Sequence, residues 1–177
     1  ADRLDFAEVR LVPANVPPHR GRPHASAEQR VQMLKLAISG NPCFVLDRRE
    51  ILREGASYTV DTLSAMRAEL GGKKPLCLLM GADAFAGLAS WHRWKKLFEL
   101  AHIVVAQRPG FDLRHFQSPL KEEFAKRRAK SPRAALGKPC GAIIVLEVTP
   151  VDISASMIRE RLAGGKSARD LLPPLVL

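Results

Sequence analysis

Four short segments combine cations, hydroxyls and small residues in patterns that suit phosphate and sugar groups. In Pro17-Pro18-His19-Arg20 a proline-stiffened loop presents an imidazole and a guanidinium, and an arginine fork can take two oxygens of one phosphate. Gly81-Ala82-Asp83 offers close backbone approach at the glycine and a carboxylate able to accept from ribose hydroxyls. An aspartate at a helix start serves equally well as a cap. Trp91-His92-Arg93-Trp94 sets two indoles three residues apart; both can face a core, or one can stack at a pocket rim on a flat, electron-poor heterocycle. In Ile153-Ser154-Ala155-Ser156-Met157-Ile158-Arg159, a cap at Ser154 would bring Ser156 and Arg159 onto one face near the positive end of a helix. Free backbone N–H groups point the same way, so the arrangement suits phosphate, although a plain cap beside a surface arginine explains it too. Arg108-Pro109-Gly110 adds one more cation after an apolar run.

Proton-transfer groups are scarce by comparison. The sequence has no glycine-rich loop ending in Gly-Lys-Ser/Thr, no G-x-S-x-G elbow and no H-E-x-x-H, and its five histidines lack ligand spacing. Many anion-holding groups with few acids and bases suit phosphoryl or nucleotidyl transfer, where positioning and charge neutralisation supply most of the catalysis.

These segments need a frame that brings them to one edge, and the intervening sequence reads as one. EVRLV (8–12) and Cys43–Asp47 are strand-like, and between them Ser26 and Gln29 stand at capping-box spacing before an amphipathic helix ending at Gly40. Thr59 or Asp61 can cap a helix through Leu70, closed by Gly71 and Gly72. LCLLM (76–80), HIVVA (102–106) and AIIVLEV (142–148) are further strands. A short helix from Asp83, another through Trp94 to Leu100, a basic helical segment and a helix from Ser154 to Leu162 separate or follow them. Strands alternating with helices imply right-handed crossovers and a parallel sheet covered on both faces. Ligands in such folds bind beyond the carboxyl ends of the strands, where the four segments fall.

Composition narrows the class. With 177 residues and 46% hydrophobic content, one domain over residues 1–177 is expected. No apolar run approaches the roughly 18 residues that cross a bilayer, and no export signal stands at the start, so a cytoplasmic protein without a membrane partner is expected. Cys43, Cys77 and Cys140 are odd in number and sit among apolar neighbours, which suits buried thiols better than disulfides or a metal site. The net charge of +10, from 28 Lys and Arg against 18 Asp and Glu, attracts polyanions without choosing among them. Much of it lies between Arg114 and Lys138, read as a solvated face. Only Phe116 and Phe124 fall there, too few aromatics for a single-strand binder.

Taken in order, VPANVPPHR, SYTVDTL, LMGADAF, WHRW, VVAQRPG and ISASMIRERL with LLPPLV resemble the bacterial nicotinate-nucleotide adenylyltransferases, from about Phe6 to Leu177. The resemblance implies a Rossmann-like nucleotidyltransferase fold and the Mg²⁺-dependent reaction of ATP with nicotinate mononucleotide, giving deamido-NAD and pyrophosphate. By matching position, Thr59, Trp91 and His92 would hold the pyridine ring, with Trp91 stacking and backbone amides taking the carboxylate. His19, Arg20 and Arg108 would lie near the mononucleotide phosphate. Gly81 and Asp83 would contact the ATP ribose, and Ser154, Ser156 and Arg159 would form the triphosphate-binding helix start. Ala155-Ser156 stands where many relatives have Ser-Thr or Ala-Thr, keeping the hydroxyl. The family's H-x-G-H motif, whose histidines stabilise the transition state, has no counterpart in this numbering. The expectation is therefore a domain incomplete at both termini, with the catalytic residues outside these 177. Sibling nucleotidylyltransferases acting on nicotinamide mononucleotide or phosphopantetheine are the alternative reading, and a basic, non-catalytic nucleic-acid-binding domain is a more distant one.

Overall fold

Among the described residues, five strands, paired in parallel within each of their sheets, and seven α-helices follow one another along the chain. The computed structural model describes residues 2–15, 25–107, 117–149, 151 and 153–177. The helices are α1 (Ala27–Ile38), α2 (Thr59–Leu70), α3 (Ala82–Ala86), α4 (Leu97–Leu100), α5 (Leu120–Arg127), α6 (Pro132–Leu136) and α7 (Ala155–Ala163). The strands are β1 (Val9–Leu11), β2 (Phe44–Leu46), β3 (Cys77–Gly81), β4 (His102–Gln107) and β5 (Ile143–Glu147). The predicted parallel α/β class holds, with one difference. Instead of one ladder, the strands form a two-stranded sheet, β1-β2, and a three-stranded sheet, β3-β4-β5. The chain divides accordingly into two compact units, Ala1–Ser57 with Val151–Leu177, and Tyr58–Pro150. No helix among the described residues is long and apolar enough to cross a membrane.

In the first unit the predicted capping box is complete. Ser26 Oγ accepts from the Gln29 amide at 3.1 Å, and Gln29 Oε1 accepts from the Ser26 amide at 2.8 Å, satisfying two donors that the helix leaves open. The Arg30 guanidinium then donates to the carbonyls of Ala14 (2.6 Å) and Asn15 (3.1 Å), tying α1 to the loop after β1. At the end of β2, Asp47 accepts from the Arg49 backbone (3.0 Å) and side chain (2.7 Å), with Arg10 3.6 Å away. Burial pushes this carboxyl up, but the Arg49 hydrogen bonds and the charges of Arg49 and Arg10 outweigh it and hold the pKa below the ordinary value.

The second unit is built on β4. Ile103, Val104 and Val105 are fully buried, as befits a central parallel strand covered on both faces. β3 and β5 flank it in register, Cys77 opposite His102 and Ile103 opposite Ile143. Phe85, Leu88, Leu97 and Phe98 complete this core without solvent access or nearly so.

The amino ends of these three strands are fastened by two polar side chains. From α2, Arg67 donates to the carbonyls of Leu100 (3.0 and 2.5 Å), Gly71 (3.1 Å), Lys74 (2.6 Å) and Pro139 (2.8 Å). His102, fully buried at the start of β4, bonds the Lys138 carbonyl through Nε2 (2.8 Å) and accepts from the Ala142 amide through Nδ1 (3.1 Å). An acceptor at Nδ1 places the ring proton on Nε2. Both side chains hold the segment before β5, where Gly141 turns with φ 100°, a conformation that favours glycine.

Several local expectations are corrected. Neither Thr59 nor Asp61 caps α2: the N-cap is Tyr58, and no side chain hydrogen-bonds there. Asp83 lies inside α3 rather than capping it, because the chain enters the helix one residue earlier, from Gly81. The three cysteines are free but only half-buried: Cys77 opens β3, Cys43 directly precedes β2 and Cys140 stands in the segment before β5. Burial still raises the Cys77 thiol to about 11. The basic segment forms α5 and α6, and it is not wholly a solvated face. The Arg127 guanidinium sits 4.6 Å over the Phe98 ring, and that of Arg128 sits 5.6 Å over Phe124, so these cations cover core aromatics.

Candidate functional site

The fastening at the amino ends leaves the opposite, carboxyl ends of β3–β5 for ligands. Gly81 closes β3 there and serves as N-cap of α3, in extended conformation and without a side-chain cap bond. No atom lies within 4 Å of where a Cβ on Gly81 would stand. Its backbone is therefore open to a bound group, and Asp83 follows it, exposed, in the first turn of α3.

Arg67, in the last turn of α2, is bonded at the amino ends of the strands, and the helix start at Thr59 lies about 12 Å along the helix axis from it. At that start the residue before Thr59 meets His92, a pairing that spacing alone could not show. The ring of Tyr58, the residue before Thr59, lies 4.5 Å from the ring of His92, tilted by 36°. The α2 helix begins at Thr59, and the Tyr58 carbonyl accepts from the Asp61 (3.0 Å) and Thr62 (3.3 Å) amides. The Thr59 amide itself, like that of His92, donates no hydrogen bond to another described residue. Two amide donors near a positive helix end suit an anionic group.

The turn that carries His92 is held from both sides. The Trp91 amide donates to Leu88 O (3.0 Å), Trp94 to Trp91 O (3.1 Å) and Lys96 to Arg93 O (2.9 Å). Arg93 adopts φ 52°, ψ 37°, the left-handed region that costs a side chain about 1 kcal/mol or more. Trp91 is half-buried and His92 exposed. Trp94 stands edge-on to Phe98 with ring centroids 6.1 Å apart, so of the two indoles Trp94 belongs to the core packing. Tyr58 and Arg93 were not singled out from the sequence. The only hint was the position of the tyrosine in SYTVDTL, directly before a helix start.

The fourth segment lies in the other unit. Ser154 caps α7, its Oγ accepting from the Met157 amide at 3.1 Å, and Arg159 donates to Ser156 Oγ at 3.1 Å. Serine and arginine therefore share a face as the spacing predicted, and Ser154, Ser156 and Arg159 are all exposed. His19, Arg20 and Arg108 lie outside the described residues. Among the described residues no three His, Cys, Asp or Glu side chains gather into a metal site.

The fold is parallel α/β, and the cytidylyltransferase-like family model matches residues 2–161. A probable nicotinate-nucleotide adenylyltransferase of Halorhodospira halophila is 48% identical over 175 residues, 99% of this chain and 79% of that protein. Similar proteins of the same description in Dechloromonas aromatica (48% identity, 98% and 81% coverage) and Methylococcus capsulatus (45%, 98% and 82%) agree. The chain belongs to the cytidylyltransferase-like family and, within it, to the nicotinate-nucleotide adenylyltransferases, which are enzymes. Among solved structures, the nicotinic acid mononucleotide adenylyltransferase of Plasmodium falciparum complexed with NaAD matches with a TM-score of 0.62 at 15% identity, over 96% of this chain and 78% of that one. At that identity the match speaks for the fold.

Proposed function

We propose that this enzyme joins the adenylyl group of ATP to nicotinate mononucleotide, forming deamido-NAD and pyrophosphate. A phosphate oxygen of the mononucleotide bonds to the α-phosphorus of ATP, and the bond from that phosphorus to the bridging α–β oxygen breaks, releasing pyrophosphate. Mg²⁺ arrives with the triphosphate as part of the substrate. What supports the pyridine half is that the Thr59 and His92 amides donate to no described residue and that the ring of Tyr58, directly before Thr59, meets the ring of His92. A carboxylate has acceptors only and satisfies both donors, whereas a carboxamide that turns its NH₂ to one of them leaves it unpaired.

For the other substrate, Gly81 and Asp83 are assigned to the ATP ribose and Ser154, Ser156 and Arg159 to the triphosphate. The start of a nine-residue helix with an arginine on the same face as a hydroxyl supports the second assignment. His19, Arg20 and Arg108 are assigned to the mononucleotide phosphate from sequence position.

Ser156→Ala and Arg159→Ala are each expected to weaken ATP binding roughly ten- to a hundredfold, the worth of a charge-assisted hydrogen bond of about 1.5 to 3 kcal/mol. Nicotinate mononucleotide binding should change much less. Because the two side chains bond each other, the double variant should lose less than the product of the single losses. Calorimetric titration with each ligand, together with chromatographic identification of deamido-NAD and pyrophosphate in equal amounts, tests the reading. Equal weakening of both ligands discredits the triphosphate assignment, and a product other than deamido-NAD defeats the proposed reaction.

A further inference from the structure

We propose that Tyr58 is a positioning residue that sets the enzyme's preference for the acid over the amide form of the pyridine mononucleotide. It acts through its ring contact with His92 and depends on the left-handed turn at Arg93. The inference rests on the proposed reading of Thr59 and His92 as the pair that meets the carboxylate.

Discrimination between two acceptor oxygens and one oxygen plus one NH₂ requires two donors held at a fixed separation. Thr59 is at the end of a helix and His92 is in a turn 33 residues further on, so no local hydrogen bond sets that separation. The ring contact does. Tyr58 precedes Thr59 directly and, as N-cap of α2, is fixed by its carbonyl, which accepts from Asp61 (3.0 Å) and Thr62 (3.3 Å). Its ring lies 4.5 Å from the His92 ring, within the range in which aromatic pairs attract.

The partner surface is held equally firmly. The turn is closed by the Trp91, Trp94 and Lys96 amides, and directly after His92 it carries Arg93 at φ 52°. Arg93 and Asp5 are the non-glycine residues at positive φ among those described. A strained residue persists where its surroundings over-determine it, and such residues cluster at ligand sites. Here the strained residue adjoins the donor whose position matters. The side chain of Arg93 is exposed, so its backbone conformation can be altered without disturbing core packing.

The experiment compares the enzyme with Tyr58→Phe, Tyr58→Leu, Arg93→Gly and Arg93→Val, measuring kcat and KM for nicotinate mononucleotide, nicotinamide mononucleotide and ATP, with thermal unfolding as a check on folding. Tyr58→Phe retains the ring and is expected to retain the preference. Tyr58→Leu should lower it about fivefold or more, the effect of one imperfectly met donor, through a raised KM for the acid form with kcat and the KM for ATP little changed. Arg93→Gly, which adopts positive φ freely, should keep the preference, and β-branched Arg93→Val should lower it. A merely structural role would move all the kinetic constants together. Tyr58→Leu with an intact preference overturns the proposal; if that variant does not fold, an intact preference in Arg93→Val overturns it. An unmodified enzyme that uses both mononucleotides equally defeats the underlying functional reading and this inference with it.

Discussion

Arg67→Ala is expected to destabilise the enzyme by about 3 kcal/mol or more, the largest loss from any single change outside the apolar core. The guanidinium donates five hydrogen bonds to four carbonyls. Hydrogen bonds from a charged group contribute about 1.5 to 3 kcal/mol each, but five sharing one planar group are not additive, and single-residue losses above roughly 4 to 5 kcal/mol are exceptional. At this chain length the loss corresponds to a fall of about 6 to 12 °C in Tm. Arg67→Lys should recover only part of it, since an ammonium has three donors and no fork. The Gly141 and Ala142 amides, in the segment that Arg67 pins through Pro139, should exchange with solvent faster in Arg67→Ala. A Tm within a degree or two of the parent protein would show that the carbonyls find other partners.

His102→Leu is the second. The leucine fills a similar volume in a fully buried position, so the expected loss comes from the Lys138 carbonyl and the Ala142 amide, both left without their partner. Each buried polar group left unpaired costs about 1 to 3 kcal/mol, giving a total of about 2 to 6 kcal/mol. His102→Asn, which keeps a donor and an acceptor on a shorter side chain, should be intermediate. Urea unfolding of the three proteins orders them, and a leucine variant as stable as the parent would mean that water or a small backbone shift satisfies both groups.

Neither residue stood out in the sequence, and the reason is instructive. Arg67 falls on the polar positions of an amphipathic helix, where an arginine usually faces water, and His102 opens a strand whose apolar run dominates the pattern. What makes them important is contact with Leu100, Pro139, Lys138 and Ala142, which only the folded chain supplies. Local signals fared better. Ser26 and Gln29 predicted a capping box because the two halves of that motif are three residues apart, and HIVVA predicted a strand because a run of branched apolar residues is a local signal.

The site divides along the same line. The shared face of Ser156 and Arg159 follows from helical spacing and was legible. The meeting of Tyr58 with His92 was not, because it joins a helix start to a distant turn. The capping of α2 was misread for a related reason: propensity favoured Thr59 or Asp61, but the helix begins one residue earlier, where the tyrosine is held by His92. Trp91 and Trp94 could not be told apart from a spacing of three, and packing against Phe98 separates them.

The central claim is that the Thr59–Trp91–His92 group reads the acid end of a pyridine mononucleotide. Its most direct test is kcat/KM for nicotinate and for nicotinamide mononucleotide at saturating ATP and Mg²⁺, in the parent enzyme and in Trp91→Ala. The parent should prefer nicotinate mononucleotide by roughly five- to 150-fold for each mismatched donor, from an unpaired-donor cost of about 1 to 3 kcal/mol. Trp91→Ala should lower both values, by the roughly 1 to 3 kcal/mol that stacking of a base on an aromatic ring contributes. Their ratio should stay largely intact, because backbone amides rather than the indole read the carboxylate. Equal use of the two mononucleotides by the parent enzyme would contradict the account.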